Sequence, residues 1–452
     1  MGSDWFEITL EEYSEVLSSK RIFVKDYVPN GIPFFRSKEV IYRALGEKIN
    51  AELYISEDRY SEIKSKFGSP SKGDILISAV GNRSGISWVV PNDMDFYFKD
   101  GNLIWLRNFS PELNSTYLSY FLKSSTGQFM LTSNMIGSAQ KALTISGIKK
   151  LNFKIPPLSE QKAIAHILST LDDKIELNRK MNETLEEMAQ ALFKSWFVDF
   201  DPVLDKALTA GYEIPEPLQA NAEKRIALGN KRKPLPAEIA DLFPDSFTFT
   251  EEHGWIPEGW EVSNIGNEFN VTMGQSPPGS TYNENGEGMR FFQGKADFGF
   301  RYPTDRIYCS EPKRFASEGD TLMSVRAPVG DVNIALHDCS IGRGLCAIRH
   351  KSSSKSYTYY FMKHKKAILD SYESGGTVFG SINQKQLKSL DAFGNIESII
   401  SAFHKIASSQ DEKIELNSKE LLILSQTRDA LLPKLISGEL RLPELENIVV
   451  RA

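Results

Sequence analysis

Cysteine is scarce in this chain of 452 residues. The three cysteines, Cys309, Cys339 and Cys346, all lie in the second half of the chain. They are odd in number and have no paired spacing of the kind that builds a zinc site. We therefore expect reduced, structural thiols, with neither a disulfide framework nor a metal site.

Long apolar runs are also missing. No stretch of about 18 apolar residues occurs, and the N-terminal segment MGSDWFEITL lacks a basic region followed by an apolar one. A hydrophobic fraction of 41% and a charged fraction of 25% are typical of globular proteins. The sequence predicts a cytoplasmic protein with no membrane-spanning segment and no membrane partner.

The chain has no excess of positive charge. Its 53 Lys and Arg against 59 Asp and Glu give a net charge of -6. Taken alone, this value argues against DNA binding, because duplex DNA attracts Lys and Arg to its phosphates. The acidic excess gathers in helical stretches such as LDDKIELNRKMNETLEEMA, whereas residues 1–155 and 258–396 are near balance and have locally basic loops. DNA binding by these two regions therefore stays open.

The usual catalytic motifs are absent from the sequence. There is no Gly-x-x-x-x-Gly-Lys-Ser/Thr phosphate loop, no His-Glu-x-x-His and no Gly-x-Ser-x-Gly. An amino-methyltransferase would carry an Asn/Asp-Pro-Pro-aromatic tetrapeptide, but the Pro-Pro pairs here lie in KIPPLS and QSPPGS. We expect no catalytic residue and no bound cofactor.

What the sequence does contain is an internal repeat. The pentapeptide KIELN occurs at Lys174–Asn178 and again at Lys413–Asn417, an offset of 239 residues (413 minus 174). The same offset pairs Asp172-Asp173 with Asp411-Glu412. Five identical residues in frame with such neighbours indicate a duplication.

The duplication extends towards the N-terminal side of each helix. GIPFFRSK at Gly31–Lys38 matches GMRFFQGK at Gly288–Lys295, and Lys72–Ser78 matches Glu318–Ser324. The order of the chain is therefore domain, helix, linker, domain, helix. The predicted segments are a first domain at 1–157, a first long helix at 158–199, a proline-rich linker at 200–256, a second domain at 257–395, a second long helix at 396–438 and a C-terminal tail at 439–452.

The linker has prolines that interrupt any long regular element. Its basic patch, Lys231-Arg232-Lys233, is short. We interpret this patch as a solvated loop rather than as a dedicated phosphate site.

Apolar residues recur at steps of four and three in both long helices, a pattern typical of a helix packed along another helix. Asn178 and Asn417 fall on equivalent seam positions, where a buried amide would fix the register. The alternative is that both face solvent. The predicted seam and register positions are Leu171, Ile175, Asn178 and Leu185 in the first helix and Ile414, Asn417, Leu421 and Leu424 in the second.

Two seams in one chain are expected to pair with each other. Antiparallel pairing would place the two domains at opposite ends, related by an approximate twofold axis, and parallel pairing would place them at one end. A linker of more than about fifty residues permits either arrangement, so spacing alone leaves the choice open.

The two domains combine short apolar runs with Gly, Asn and Ser turns, which predicts strands in an α+β fold. The runs are DILISAV, ISWVV, NLIWL, DTLMSV and GLCAI. The pairs Phe34-Phe35 and Phe291-Phe292 are expected in core strands rather than in base stacking.

Basic and amide side chains cluster in turns that occur twice. We match Gly81–Gly85 with Val325–Pro328, and Gly137–Lys141 with Gly380–Lys385. Arg and Lys bond guanine edges and Asn or Gln bonds adenine in the major groove, although any single Arg can be only a solubilising charge. The candidate DNA-binding residues are Arg36, Lys38, Asn82, Arg83, Gln140, Lys141, Gln293, Lys295, Arg326, Asn383, Gln384 and Lys385.

Several segments resemble a known family, the specificity (S) subunits of type I restriction-modification systems. PPLSEQKAIAHILSTLDDKIELNRKMNETLEEMAQALFKSWFVDFDPV and DEKIELNSKELLILSQTRDALLPKLISGEL are similar to the first and second conserved regions of that family. FPDSF at 243–247 and IPEGWE at 256–261 resemble its entry into the second target-recognition domain. The resemblance covers nearly the whole chain.

The resemblance implies a non-catalytic DNA-binding subunit that binds no cofactor itself. Such a subunit joins two methyltransferase subunits, which bind S-adenosylmethionine and methylate adenine. With restriction subunits, the assembly cleaves unmethylated double-stranded DNA using ATP and Mg. The family also implies that the two coiled-coil helices are antiparallel with pseudo-twofold symmetry, that each domain reads one half of a split target, and that helix length sets the spacer.

Two other classes of function compete with this one. The first is a stand-alone DNA methyltransferase or nuclease, against which the missing motifs argue. The second is a coiled-coil scaffold whose domains bind protein. An electrophoretic shift of bipartite DNA that requires a methyltransferase partner would separate all three.

Overall fold

The computed structural model describes residues 4–47, 49–91, 94–137, 141–373 and 380–441. Its contacts divide the chain into two compact units. The first unit comprises Met1–Lys180 and Ser418–Ala452, and the second unit is Met181–Asn417. Each unit contains one of the two domains and part of each long helix. No helix in these described ranges is long and apolar enough to cross a membrane.

Short strands and helices build the domain of the first unit. The strands are β1 (Phe6–Thr9), β2 (Glu15–Leu17), β3 (Tyr27–Val28), β4 (Ile32–Phe35), β5 (Tyr54–Ile55), β6 (Ile75–Ser78), β7 (Ser87–Val89), β8 (Tyr97–Phe98), β9 (Leu103–Arg107) and β10 (Asn152–Ile155). The helices are α1 (Leu10–Tyr13), α2 (Ser37–Ala44), α3 (Glu57–Phe67), α4 (Ser115–Lys123), α5 (Ser125–Ser133) and α6 (Ile145–Lys149).

These strands form two four-stranded sheets, in the orders β2-β9-β6-β7 and β3-β5-β4-β8, while β1 pairs with β10. The runs DILISAV, ISWVV and NLIWL become β6, β7 and β9, as expected from their β-branched and apolar residues. In the second sheet β4 pairs in parallel with β8, so that Phe34 lies opposite Tyr97. Phe34 and Phe35 are fully buried, which confirms their core position.

The first long helix, α7, spans Leu158–Phe197, against a predicted 158–199. The segment that follows it is folded rather than loose. It contains α8 (Asp201–Ala210), α9 (Gln219–Ala227), α10 (Ala237–Ala240) and the hairpin of β11 (Phe247–Thr250) and β12 (Gly254–Pro257).

Apolar residues of this segment belong to the core of the second unit, among them Val203 and Phe243. Part of the basic patch is also engaged, because Arg232 pairs with Asp205 at 3.1 Å. The prediction of a solvated loop is therefore wrong for Arg232, although Lys231 and Lys233 are exposed.

The domain of the second unit repeats the topology of the first. Its strands are β13 (Glu261–Asn264), β14 (Phe269–Met273), β15 (Tyr282–Asn283), β16 (Met289–Phe292), β17 (Tyr308–Cys309), β18 (Phe315–Ala316), β19 (Thr321–Ser324), β20 (Val332–Ile334), β21 (Cys339–Ile341), β22 (Leu345–His350) and β23 (Asp391–Gly394). Its helices are α11 (Ile265–Glu268), α12 (Lys355–His364), α13 (Lys366–Asp370) and α14 (Gln384–Lys388), and the second long helix, α15, spans Glu397–Ser437.

The sheet orders are β14-β22-β19-β20 and β15-β17-β16-β21-β18, and β13 pairs with β23. Apart from the added β18, these orders match those of the first unit strand for strand. Phe291 and Phe292 again lie in a strand that pairs in parallel, and both are buried. Cys309, Cys339 and Cys346 are buried and carry no disulfide. The duplicated α+β fold is confirmed.

Both long helices belong to the cores of the units. In the first unit, Ile164 and Leu168 of α7 pack in one cluster with Leu435 and Ile436 of α15. In the second unit, the shared cluster contains Ala189, Phe193, Trp196, Phe403 and Ala407. In each unit, residues of both long helices therefore share a hydrophobic core with the domain, and the helices do not form a separate packing unit.

The two helices run antiparallel within each unit. In the first unit, Arg428 donates to Asp172 at 2.9 Å and Asn178 donates to Glu420 at 2.7 Å. The higher residue number on α7 therefore contacts the lower residue number on α15. In the second unit, the Asn182–Asn417 and Phe193–Phe403 contacts have the same sense. This settles the orientation that spacing left open.

Candidate nucleic-acid interface

The loop between β6 and β7 is a tight turn that exposes two of the predicted DNA-binding residues. The hydroxyl of Ser78 donates to the carbonyl oxygen of Arg83 at 2.6 Å, and the amide of Gly85 donates to the carbonyl oxygen of Ser78 at 2.8 Å. Asn82 and Arg83 project from this turn into solvent. The Arg83 guanidinium lies 5.9 Å from the ring of Tyr42 on α2, so the turn lies beside that helix.

The segment that leads into α6 lies directly against this turn. Ala142 forms bridges with both Ile136 and Val80, and the amide of Leu143 donates to the carbonyl oxygen of Ala79 at 2.8 Å. Lys141 is exposed next to these bridges. Gln140, also predicted to bind DNA, lies outside the described residues.

The second unit has the same pair of segments. The hydroxyl of Ser324 donates to the carbonyl oxygen of Pro328 at 2.6 Å, which repeats the Ser78 turn between β19 and β20. Arg326 bridges Ser381, and the amide of Ala327 donates to the carbonyl oxygen of Gly380 at 3.0 Å. Two loops that are far apart in sequence are thus neighbours in both units.

The register of this second segment differs from the predicted match of Gly137–Lys141 with Gly380–Lys385, which is wrong by four residues. Ala142 and Ser381 make the equivalent bridges, and their numbers differ by 239, the offset of the helix repeat. The β-bridges define which residues of the two segments are structurally equivalent, and they do not follow the Gly-Ser dipeptide that the segments share.

The same register shows what Asn383 does locally. Its side-chain oxygen accepts from the amide of Gln386 at 3.0 Å and caps α14, as Thr144 caps α6 in the first unit. Gln384 donates weakly to the carbonyl oxygen of Val271 at 3.5 Å. Lys385 is exposed.

Arg83 and Arg326 lie on equivalent turns but not at equivalent positions. Val80 makes the bridge in the first unit that Arg326 makes in the second, so Arg83 is three residues further along its turn. Both arginines are exposed, and no carboxylate of the described residues pairs with either of them.

Two predicted cations of the first unit are already neutralised. Arg36 pairs with Glu39 at 2.7 Å and with Glu52 at 2.6 Å, and Lys38 pairs with Glu52 at 2.7 Å. Hydrogen bonds from Lys38 and Arg36 lower the pKa of the Glu52 carboxyl to about 2, so it stays ionised. These cations sit at the start of α2, whose later residue Tyr42 meets Arg83.

A cavity of about 570 Å³ in the second unit gathers three predicted residues, Gln293, Lys295 and Arg326. Lys295 pairs with Asp331, so its charge is compensated. Arg343, which was not predicted, lines the same cavity. Its sequence signal is a cation between two glycines, Gly342 and Gly344, in a turn; a search for matched loops passes over it because the first domain has no such residue.

The predicted seam residues of the two long helices are all buried or half-buried. In the first unit Ile175 and Asn178 are buried, while in the second unit Ile414 and Asn417 are buried. Asn178 and Asn417 are each only 1% exposed, which excludes the solvent-facing alternative. The half-buried seam residues are Leu171, Leu421 and Leu424 in the first unit and Leu185 in the second.

The polar partners of the two seam asparagines differ. Asn178 donates to the carboxylate of Glu420 at 2.7 Å, whereas Asn417 donates to the amide oxygen of Asn182 at 2.9 Å. The repeat explains this difference, because the residue 239 positions after Asn182 is Leu421, which has no polar group.

No group of three His, Cys, Asp or Glu side chains within the described ranges lies close enough to hold a metal ion. The exposed features of the candidate interface are two loop pairs with basic and amide side chains, one pair on each duplicated domain.

Comparison with known proteins bears on the identity of these domains. The family model for the type I restriction modification DNA specificity domain matches residues 2–187 and 257–391.

The chain belongs to this specificity-subunit family. The MjaX specificity subunit of Methanocaldococcus jannaschii, a putative type I restriction enzyme subunit, is 32% identical over 380 residues, covering 82% of this chain and 79% of that protein. The HindI specificity subunit of Haemophilus influenzae is 27% identical over 468 residues, covering 97% of this chain and 100% of that protein.

One solved structure of a specificity subunit shows the same fold. The crystal structure of the type I restriction-modification S subunit from M. genitalium covers 96% of this chain and 97% of its own, with a TM-score of 0.58 at 17% identity. This likeness concerns the fold alone. The family match shows that this chain is a non-catalytic specificity subunit with DNA-recognition domains, and the resemblance found in the sequence is confirmed.

Proposed function

We propose that the chain reads a bipartite DNA target, with one half-site bound by each recognition domain, and that it directs adenine methylation and ATP-dependent restriction by partner subunits. The observation that carries this proposal is the repeated loop pair, 79–86 with 141–143 in the first unit and 325–331 with 380–382 in the second. Two copies of one arrangement support two half-sites, because each copy presents basic and amide side chains of its own.

The side chains of these loops suit base edges and phosphates. A guanidinium donates to O6 and N7 of guanine, and a carboxamide bonds adenine, whereas lysine serves mostly as a phosphate partner. Arg36, Lys38 and Lys295 already hold a carboxylate, so DNA contact by them requires exchange of that carboxylate for a phosphate. The side chains proposed to act without such an exchange are those of Asn82, Arg83, Lys141, Gln293, Arg326, Asn383, Gln384 and Lys385. Gln140, which lies outside the described residues, is proposed from its place in the sequence.

The proposed partners are two methyltransferase subunits and restriction subunits. Leu177 and Leu416 occupy the same position of the KIELN repeat, and they are 53% and 61% exposed. A single exposed leucine is ordinary on a protein surface, so the support comes from the repetition: two exposed leucines at equivalent helix positions suit two copies of one partner.

The chemistry of the assembly is assigned to those partners. The methyltransferase subunits would bind S-adenosylmethionine, and the restriction subunits would bind ATP and Mg. The chain itself supplies the choice of site, for which the loop side chains and not a cofactor are required.

The test is to co-express the chain with its proposed methyltransferase subunit and to map methylated adenine across a genome. We expect one bipartite motif with an unspecified spacer. Arg83→Ala should relax one half of the motif and Arg326→Ala the other, each by about 1–3 kcal/mol of base discrimination. Lys233→Ala, an exposed residue outside both recognition domains, is the control.

The competing functions predict other results. Methylation or cleavage by the chain alone would identify a stand-alone enzyme, and failure of the complex to shift any DNA would favour a scaffold. A contiguous motif, or one in which both variants change the same half, would contradict the assignment of one half-site to each domain.

A further inference from the structure

The turn between β21 and β22 holds an arginine between two glycines, Gly342-Arg343-Gly344. A Cβ on Gly344 would collide with the carbonyl oxygen of Gln293, and a Cβ on Gly342 would lie 3.1 Å from the ring of Phe291. The turn is therefore pressed closely against the end of β16: position 344 has no room for a Cβ, and a Cβ at position 342 would require Phe291 to shift by a few tenths of an ångström.

Backbone hydrogen bonds fix the turn from both sides. The amide of Gly342 donates to the carbonyl oxygen of Phe292 at 2.8 Å, and the amide of Val325 donates to the carbonyl oxygen of Gly344 at 2.9 Å. The amide of Arg343 itself donates to the hydroxyl of Ser276 at 3.2 Å. Arg343 is thus a long, exposed side chain on a rigid base.

The Val325 hydrogen bond also connects this turn to the loop that carries Arg326. The two arginines line one cavity of about 570 Å³ together with Gln293 and Tyr282. No carboxylate among the described residues pairs with Arg343 or Arg326, while Lys295 at the same cavity is held by Asp331. The cavity therefore presents two uncompensated guanidinium groups and one carboxamide.

The first unit lacks the Arg343 cation. There the amide of Ala79 donates to the carbonyl oxygen of Asn102 at 2.9 Å, which repeats the hydrogen bond between Val325 and Gly344. Gly101 consequently stands where Arg343 stands in the second unit. Its neighbour Asp100 carries a negative charge and pairs with Arg21 at 2.9 Å.

We propose that the cavity of the second domain is a guanine-reading site, in which Arg343 and Arg326 each donate to the O6 and N7 edge of a guanine in the half-site of that domain. The proposal rests on the function proposed above, namely that the second domain binds DNA. A guanidinium matches this edge with two parallel hydrogen bonds, and a fixed backbone aims it at one base. The half-site of the first domain has no equivalent of the Arg343 contact.

The test uses the complex of the full chain with its methyltransferase subunit. The motif is first read from the methylated genome, and oligonucleotides are then made with each base pair of each half-site replaced in turn. For Arg343→Ala, we expect the preference for guanine at one position of one half-site to fall by about 5- to 150-fold. The other half-site should be read as in the wild type.

Two further variants separate base reading from other roles. Arg343→Lys keeps the charge but loses the paired hydrogen bonds, so it should bind DNA with less guanine preference. Arg314→Ala removes another exposed arginine of the same domain from outside the cavity and should change neither half-site. The midpoint of unfolding of Arg343→Ala should equal that of the wild type, because the side chain is exposed.

Several outcomes would overturn the proposal. One is a half-site without guanine for the second domain. Another is an Arg343→Ala variant whose affinity falls by the same factor for specific and for scrambled DNA and depends less steeply on salt concentration. That result would identify a phosphate contact. Either outcome leaves a bipartite motif in place, whereas loss of any bipartite motif in the wild type would refute the proposed function itself.

Discussion

The guanidinium of Arg301 donates a hydrogen bond of 2.7 Å to the carboxylate of Glu186, and the two residues are only 1% and 4% exposed. Arg301 also bonds Asp411 and stacks at 4.5 Å on the ring of Tyr359. Burial alone would lower the pKa of Arg301, but the carboxylates of Asp411 and Glu186 outweigh it and raise that pKa, so the arginine stays charged. One side chain of the second recognition domain is thereby tied to both α7 and α15.

Removal of this arginine should destabilise the second unit strongly. Arg301→Met leaves Asp411 without its arginine and Glu186 with Lys363 as its remaining cation partner among the described residues. Loss of one partner of a buried ion pair costs about 3–5 kcal/mol in the free energy of unfolding. Denaturant melts of wild type and variant give the difference. Arg314→Met removes an exposed arginine of the same domain that forms no ion pair with the described residues, and it should leave the midpoint nearly unchanged. An Arg301→Met midpoint as high as that of the wild type would contradict the role of this tie.

Loss of the seam amide in the second unit should also be measurable. Asn417→Ala removes the donor to the buried amide oxygen of Asn182, and an interrupted buried hydrogen bond costs about 1–3 kcal/mol. Replacing both by leucine should recover much of the stability and weaken the preference for one register. Asn230→Ala, at an exposed position, serves as the comparison in the same unfolding experiment. Equal losses for the two alanine variants would argue against a register role.

The exposed leucines of the repeat should each anchor one methyltransferase subunit. Burial of a leucine contributes about 1.5–3 kcal/mol, and an aspartate in its place would in addition bury a charge. Leu177→Asp and Leu416→Asp should each reduce the complex from two methyltransferase subunits to one, and the double variant should bind none. Native mass spectrometry gives the stoichiometry, with Val24→Asp, at another exposed apolar position, as the control. Two bound subunits in the double variant would show that the partner docks elsewhere.

Stability should fall at acidic pH in part because of His350. Burial lowers the pKa of His350 below its ordinary value, and Lys351 lowers it further, while Glu268 and Glu397 oppose the shift. A lowered pKa means that the unfolded chain takes up the proton first. The contribution of His350 is therefore complete above pH about 6.5 and is lost as the pH falls below that value.

The measurement compares the free energy of unfolding at pH 8 and pH 5 for the wild type and His350→Gln. The variant should lose less stability between these pH values than the wild type. His337→Gln, which removes an exposed histidine, should follow the wild type. Parallel curves for the wild type and His350→Gln would rule out the buried imidazole as a cause.

The repeat predicted most of the fold because it reports on core elements. The offset of 239 residues that relates KIELN at Lys174–Asn178 to Lys413–Asn417 also relates Ala142 to Ser381, although the sequences around these two residues are dissimilar. Heptad spacing likewise placed Asn178 and Asn417 between helices. These features follow from periodicity and duplication, which a single sequence records.

The site was less predictable, because what brings its parts together is long-range. Nothing in the local sequence says that Val80 bridges Ala142, or that Arg326 bridges Ser381. Arg343 was missed because the first domain has no counterpart to it. The choice of partner for a cation, such as Glu52 for Arg36, also depends on side chains that fold in from elsewhere.

The burial of all three native cysteines makes the chain suitable for site-specific labelling. Burial raises the pKa of Cys339 to about 12, and a thiol reacts with maleimides as its thiolate. Cys309, Cys339 and Cys346 should accordingly stay unmodified in the folded protein. Cysteines introduced in place of one exposed lysine in each unit, for instance Lys66 and Lys351, would then be the only thiols to react with a dye. Energy transfer between the two dyes could follow the distance between the two recognition domains as DNA binds, without removal of any native cysteine.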